Sequence, residues 1–561
     1  MESLGMTKTK RYLFPVPGCL VIMLSLLSSV AQSQEKDPSQ QEQAAEKALS
    51  AQDLLDKAFE LKLAARSGQD FAKVVQLCDQ ALKKGLDKEN GKFAEQLLTS
   101  TIYQYVSGIC KPILGDRPDP SWRQRRAVAM PLLTKLLAVD ESHGDALILT
   151  ARLQILPGGD TKQATQLLDR AIVVVKEDDK KLSEAVFLRA SLEQDPARKL
   201  AQLDRAIKLD AANTDAWQAR ALFQLRKGKF EQAAQDLEKL LEKEDDNYLA
   251  ILALAEAMAN LKKPDKALEL AGRAIKLNPE VPQAYELRAR IHVLNNEMKQ
   301  ALADVNESIR LQPGSVTSLL LRARLLQAQE KLGEALKDVE TALKIRPGMT
   351  SALFLKSTIH EGQRDFVRAA DSMQEIVKRD PENEQAQLML GMYYSMASRV
   401  KKALDQFDQI LEKNDANTAA FYWRADTRLN VGDHKGARQD YENVLERSPQ
   451  HEATLNNLAW LLATSPENEL RDGKRAVKLA VQAGELSKYK KPHILSTMAA
   501  AYAESGDYSK AVEWSTKAVK MGREDLQGQL EAELKSYQEK KPWREKKELP
   551  EEKNSKASKA R

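Results

Sequence analysis

The sequence predicts an all-α solenoid of stacked helix-turn-helix units, closed by a C-terminal capping helix. Three observations carry this. One pattern recurs every 34 residues, without a gap, seven times across 214–451. Position 20 of every unit is alanine: Ala233, Ala267, Ala301, Ala335, Ala369, Ala403 and Ala437. Position 8 is always small: Ala221, Ala255, Ala289, Ala323, Ser357, Gly391 and Ala425. Small residues at one point on each of two helices let the helices approach closely.

The units start at Thr214, Tyr248, Pro282, Val316, Thr350, Glu384 and Thr418. Apolar residues fall at helical spacing, as in Leu237, Leu240 and Leu241. Position 32 is proline in five units (Pro279, Pro313, Pro347, Pro381 and Pro449), where it ends the second helix. One such hairpin cannot bury its apolar face alone, so stacking is obligatory. Trp217, Leu390, Gly391, Tyr394, Ala403, Phe407 and Pro381 sit on a W-x2-L-G-x2-Y…A-x3-F…P pattern. This pattern resembles the tetratricopeptide repeat (TPR) family, although no single unit carries all of it. The resemblance implies a right-handed superhelix whose first helices line a concave groove at positions 2, 5, 9 and 12–13.

A second regularity lies inside the units. Position 7 is arginine in four of them: Arg220, Arg288, Arg322 and Arg424. Position 23 is aspartate in the same four: Asp236, Asp304, Asp338 and Asp440. The other units lack both, with Leu254 and Leu270, Lys356 and Ser372, and Leu390 and Gln406. Joint presence and joint absence predict a structural ion pair across each hairpin.

At the start of the chain, residues 1–33 look like an export signal. Lys8, Lys10 and Arg11 form a basic region, Leu20–Val30 an apolar one, and Ala31-Gln32-Ser33 a small-residue cleavage site. The rival reading is an uncleaved anchor in the inner membrane, because the apolar stretch approaches the ~20 residues of a span. Residues 34–43 are polar and read as a disordered linker. Residues 44–213 read as a degenerate, irregular TPR-like helical region, with a loop at 111–121 and a kink or restart at Pro131.

After the seven regular units, residues 452–522 hold two further units, the first with an insertion at 465–474. The segments around Trp460, Arg471–Ala476 and Ala499–Glu504 resemble the terminal repeats of exported TPR proteins from planctomycete-type bacteria. Residues 523–539 read as a capping helix with a stripe of Leu526, Leu530, Leu534 and Tyr537. Residues 540–561 are lysine-rich and read as a disordered basic tail.

Little in the chain suggests chemistry. There is no glycine-rich phosphate loop, no HExxH and no CxxC. The six histidines are scattered, and His292 and His360 fall at position 11, a packing position. No cofactor or metal is expected. Cys78 and Cys110 could pair in an oxidising compartment or remain buried thiols. A net charge of +5 is too small to argue for nucleic acid.

A binding surface remains. On the groove positions implied by the resemblance, the stretch 384–460 presents Met389, Met392, Met396, Tyr422, Trp423, Asp426, Asn456, Asn457 and Trp460. Methionine and aromatic residues make an adaptable contact surface. Farther up, Arg290 and Arg324 at position 9 would add positive charge for an acidic group. The expected function is a non-catalytic scaffold, exported to the periplasm or cell envelope, that holds a protein or peptide partner. Any membrane contact would run through the N-terminal segment, and the oligomeric state stays open. One alternative is a structural or assembly subunit of an envelope complex acting through the N-terminal region. Another is an enzyme with its site in 86–142, where Asp116, Asp119 and the adjoining His143 lie.

Overall fold

The computed structural model describes residues 49–114 and 120–545. The segments 1–33 and 34–43, together with Asp116, Asp119 and residues 546–561, lie outside the described residues. The described residues form 27 α-helices, two 3-10 turns and no strand. The fold is an all-α solenoid. It divides into two compact units, up to Ala216 and from Trp217 onward.

The first unit holds α1 (Ala51–Ala64), α2 (Gly68–Lys84), α3 (Lys88–Cys110), α4 (Trp122–Val139), α5 (Gly144–Ile155), α6 (Thr161–Val174), α7 (Asp179–Leu192) and α8 (Pro196–Leu209). Side-chain caps start most of them. Ser50 with Asp53, and Ser67 with Asp70, form reciprocal capping boxes. Two apolar clusters follow one another: one around Leu54, Leu98 and Leu133, the next around Leu147, Leu168 and Ala185. The restart expected as one alternative at Pro131 does not occur: α4 is one continuous helix with Pro131 inside it. Pro131 lies on the exposed side, so the carbonyl it leaves without a donor can take water instead. Cys78 and Cys110 are free, buried thiols, which burial pushes up to about 12 and about 11.

Beyond α9 (Thr214–Arg226), where the boundary falls, the second unit alternates first and second helices. These are α10 (Phe230–Leu241), α11 (Tyr248–Asn260), α12 (Pro264–Leu277), α13 (Pro282–Leu294), α14 (Met298–Leu311), α15 (Val316–Ala328), α16 (Leu332–Ile345) and α17 (Thr350–Gly362). The series continues with α18 (Phe366–Arg379), α19 (Glu384–Met396), α20 (Val400–Lys413), α21 (Thr418–Asn430), α22 (His434–Arg447), α23 (Glu452–Thr464), α24 (Gly473–Leu486), α25 (Pro492–Glu504), α26 (Tyr508–Met521) and α27 (Gln527–Gln538).

The repeat geometry is set at three places. All seven position-20 alanines are fully buried. At position 8, a Cβ on Gly391 would lie 2.5 Å from the Phe407 ring, so only glycine leaves room for that phenylalanine. At position 15, each of the seven regular units turns through a left-handed residue, from Gly228 to Gly432. The next N–H then reaches back to the carbonyl at position 11, as from Lys331 to Leu326 at 2.9 Å and from Asp365 to His360 at 2.8 Å. That bond closes the first helix and aims the second.

Burial is local. Successive clusters centre on Leu237 and Ile251, then Val305, then Val339 and Ile359, then Tyr393 and Phe407, then Tyr441 and Leu461. Each unit contributes to its neighbours' cores rather than to one centre.

The position-7 arginines each hold a position-23 aspartate through two bonds. Arg322 Nε and Nη2 donate to Asp338 at 2.7 Å each, and Arg288 donates to Asp304 at 2.7 and 2.6 Å. Arg220 pairs with Asp236 at 2.8 and 2.7 Å. Arg424 pairs with Asp440 at 2.9 and 2.6 Å, and Arg428 adds a third donor to the same carboxylate at 2.7 Å. Three of these guanidinium groups also lie over a position-4 ring, those of Trp217, Tyr285 and Phe421.

The C-terminal end departs from expectation. Residues 540–545 are not a disordered tail. They turn back after α27, and Trp543 packs against the last apolar cluster. The Glu545 N–H donates to the Thr464 carbonyl at 3.0 Å. Arg544 donates to the Ala463 carbonyl at 3.1 Å and pairs with Glu504. Burial of the indole outweighs the polar composition around it. The insertion at 465–474 is also tied down, through a 3-10 turn at Asn468–Leu470 and an Arg471–Glu504 bond of 3.0 Å.

The Arg–Asp geometry carries an expected outcome. Asp338 is the more buried partner, so Arg322→Ala strands a carboxylate and should cost about 2–3 kcal/mol, less than full burial would. Asp338→Ala, which leaves a guanidinium able to reach water, should cost less. A double-mutant cycle by chemical denaturation should show coupling of about 1 kcal/mol or more. Strict additivity would remove the pair from the account.

Candidate functional site

The first helices of successive units pack side by side along one face, and the residues picked out by sequence fall into three environments on it. Met389 and Met392 (α19) and Tyr422 and Trp423 (α21) are half-buried on one apolar cluster. Tyr422 meets Trp423 edge-on, with centroids 5.4 Å apart, and also contacts the His451 ring at 5.2 Å. Met396, at the end of α19, is 40% exposed. Met389, Met392, Tyr422 and Trp423 make one apolar patch.

Asp426 and Asn457 stand elsewhere in function. The Asp426 carboxylate accepts from Tyr441 Oη at 2.5 Å and from Asn457 Nδ2 at 3.0 Å. Burial holds its pKa above the ordinary aspartate value, against the opposing effect of these bonds. The two residues tie α21, α22 and α23 together, so they bridge repeats rather than reach outward. Asn456, 9% exposed, donates to Asn457 Oδ1 at 3.1 Å.

Trp460 is engaged by the returning C-terminal segment. Its indole N–H donates to Glu545 Oε1 at 2.6 Å. Beside it lies a cavity of about 230 Å³, lined by Leu429, Asn456, Asn457 and Trp460, by His493, Ser496 and Thr497 of α25, and by Leu526, Gln529 and Leu530 at the capping helix. Beneath it, the fully buried Glu533 accepts from Ser496 Oγ at 2.6 Å and from Gln529 Nε2 at 2.9 Å.

The two arginines are not in one setting. Arg290 lies 3.8 Å from Glu256 of the preceding unit, so its charge is shared there. Arg324 is exposed. His292 bonds Glu297 at 2.5 Å and His360 is buried beside Gln363. In the first unit His143 caps α5, accepting from Ala146 N–H at 3.3 Å. Among the described residues, no group of three or more His, Cys, Asp or Glu is placed to hold a metal ion. No helix among them is long and apolar enough to cross a membrane.

Three tetratricopeptide-repeat family models match the chain, at residues 224–291, 320–384 and 379–531. The regular part of this chain is built of tetratricopeptide repeats. A comparison with curated proteins found no match. Among solved structures, the chain is similar to YrrB, described as a TPR protein with an unusual peptide-binding site. The identity is 21%, over 34% of this chain and 98% of that one, with a TM-score of 0.31. It is also similar to PilF of Pseudomonas aeruginosa (17% identity, 38% of this chain and 97% of that one, TM-score 0.34). A third is the Cut9–Hcn1 hetero-tetramer of APC/C (14% identity, 89% and 99%, TM-score 0.35).

The TPR pattern indicates a helix face but not which donor meets which acceptor on it. Tyr441 lies on a second helix, and Glu533 and Glu545 lie beyond the repeats, so groove positions could not select them. Trp543 was the available signal, one large aromatic in a lysine-rich stretch.

Glu533 gives a pH-dependent outcome. Burial raises its pKa above the ordinary 4.5, so the folded TPR array holds the proton more tightly than the unfolded chain. The stability this contributes is full below the ordinary value and is lost as pH rises through the raised one. Glu533→Gln, which removes the charge, should therefore raise Tm by roughly 2–4 °C at about pH 8 and leave it unchanged near pH 4. A loss of Tm at about pH 8 would show that the carboxylate is stabilised where it sits.

Proposed function

We propose that this chain is a non-catalytic scaffold that holds a protein or peptide partner on the first-helix face between residues 384 and 430. Tetratricopeptide repeats support a protein-interaction scaffold. The observation that carries the location is the apolar patch of Met389, Met392, Tyr422 and Trp423, with the exposed Met396 at the end of the same helix as Met389 and Met392. Its neighbours on the same face are consumed by contacts between repeats or by the C-terminal segment. A flexible thioether patch beside rigid rings suits an apolar side chain of a partner.

The proposal extends to export into the cell envelope. Support comes from the basic, apolar and small-residue order of residues 1–33, with either cleavage or an inner-membrane anchor as the outcome. A second reading, an assembly subunit acting through its N-terminal region, draws on one feature of the first unit. A cavity of about 590 Å³ there is lined by Tyr103, Asp145, Arg152 and Glu184, among others.

Crosslinking capture from cells expressing the chain tests the location. Trp423→Ala combined with Met392→Ala should lower capture of the wild-type partner by about tenfold or more. Capture unchanged by that pair but lost with Tyr103→Ala would move the site to the first unit. Cell fractionation of the same material tests export, and its intact mass separates the two outcomes, because cleavage leaves a chain beginning at Gln34 and an anchor keeps residues 1–33.

A further inference from the structure

The turn that joins α24 to α25 is held in a conformation that ordinary residues avoid. Lys488 and Tyr489 are both left-handed, at φ 51° and 58°, the only two consecutive residues so placed among those described. Such backbone persists in residues other than glycine only where the surroundings over-determine it. Three N–H groups do so. Lys488 donates to the Glu485 carbonyl at 3.0 Å, Tyr489 to Gly484 at 2.8 Å and Lys490 to Ser487 at 3.1 Å. The Tyr489 ring stacks on Trp514 of α26, with centroids 5.4 Å apart and planes 21° apart. Gly484 makes room for it, since a Cβ there would stand 2.7 Å from the ring. A fixed turn thus presents a lysine on each side of an anchored tyrosine.

The same surface continues onto α26. Lys517 Nζ lies 3.9 Å from the centre of the Trp514 ring, and Lys520 and Met521 follow one turn later. Lys491 is paired with Glu452, and Lys517 with Glu513. Lys488, Lys490 and Lys520 are exposed and have no ion-pair partner among the described residues. Glu485 is the one acid in 485–491. Exposed apolar side chains stand beside the charges: Leu486 at 42%, Tyr489 at 37% and Met521 at 45%. Leu277 and Ile345 also end second helices exposed, but the turns after them, 278–281 and 346–349, hold no aromatic residue and no lysine.

We propose that this second-helix surface, 486–490 with 517–521, docks on an anionic lipid surface. The side chains select that partner. Lysine is a compact point charge without the arginine fork that reads a single phosphate or carboxylate, so lysines alone suit a layer of headgroup charge. Each lysine near such a layer strengthens binding roughly fivefold. Leu486, Tyr489 and Met521 gain by entering the headgroup boundary, which a soluble polyanion does not offer. The contact is separate from residues 1–33, and it lies on second helices, away from the proposed groove.

The test uses the full chain with vesicles of equal parts phosphatidylglycerol and phosphatidylcholine, against phosphatidylcholine alone. Lysine acetylation read by mass spectrometry reports each site separately, so insertion of residues 1–33 does not obscure it. The anionic vesicles should slow acetylation of Lys488, Lys490 and Lys520 by about fivefold or more, and the neutral ones should leave it unchanged. Lys488→Glu with Lys490→Glu, both at exposed positions, should return Lys520 to its reactivity with neutral vesicles. Leu486→Ser should reduce the protection of Lys520 by about threefold. Polyglutamate at the same total charge should protect these lysines at least about fivefold less than the anionic vesicles. The proposal is overturned if neutral vesicles protect as well as anionic ones, or if Lys520 stays protected in the doubly reversed chain. Equal protection by polyglutamate, untouched by Leu486→Ser, would also overturn it and assign the surface to an acidic polypeptide.

Discussion

The close approach of paired helices at positions 8 and 20 is the constraint on which the second unit depends. Each position-20 side chain is a fully buried alanine. With nothing larger at the crossing, the second helix sits near enough for Arg at position 7 to meet Asp at position 23 through both oxygens. Wider spacing would leave each aspartate buried without its cation, an outcome costlier than having no pair at all. The same spacing sets where first helices stand relative to one another, and therefore which side chains share a face.

Units without the ion pair show how the constraint is otherwise met. Leu254 and Leu270 replace it with apolar contact, and both are buried. Lys356, whose position-23 counterpart is Ser372, turns to Glu340 at 3.5 Å. Gly391 gives up its side chain altogether, and Phe407 takes the volume. These are different solutions to one distance, and they vary the interior from unit to unit while keeping the 34-residue period.

The period, the hairpin order and the cap were legible because they are written in side-chain volume at fixed intervals. The position-15 turn was not legible as a rule, since only Gly228 and Gly432 of the seven regular turns are glycine and the remaining five are ordinary residues held left-handed by the bond that follows. The candidate site was half legible. Face assignment found Met389, Met392, Tyr422 and Trp423 together. It could not foresee that Asp426 and Asn457 would be spent on Tyr441, because that depends on a second helix. Nor could composition foresee that Trp543 would draw residues 540–545 back onto the array. The polar neighbours of the apolar patch are occupied within the molecule, which is why the proposed binding face rests on its apolar residues.

The most direct test of the close-approach account is a double-mutant cycle on Gly391 and Phe407, followed by chemical denaturation. Alanine is favoured over glycine inside a helix by about 1 kcal/mol, whereas overpacking against the ring costs about 1–3 kcal/mol. Close approach at position 8 requires Gly391→Ala to destabilise the chain on balance, and requires Phe407→Leu in the same chain to recover most of that loss. A Gly391→Ala chain as stable as wild type, or one whose loss is untouched by Phe407→Leu, would contradict it.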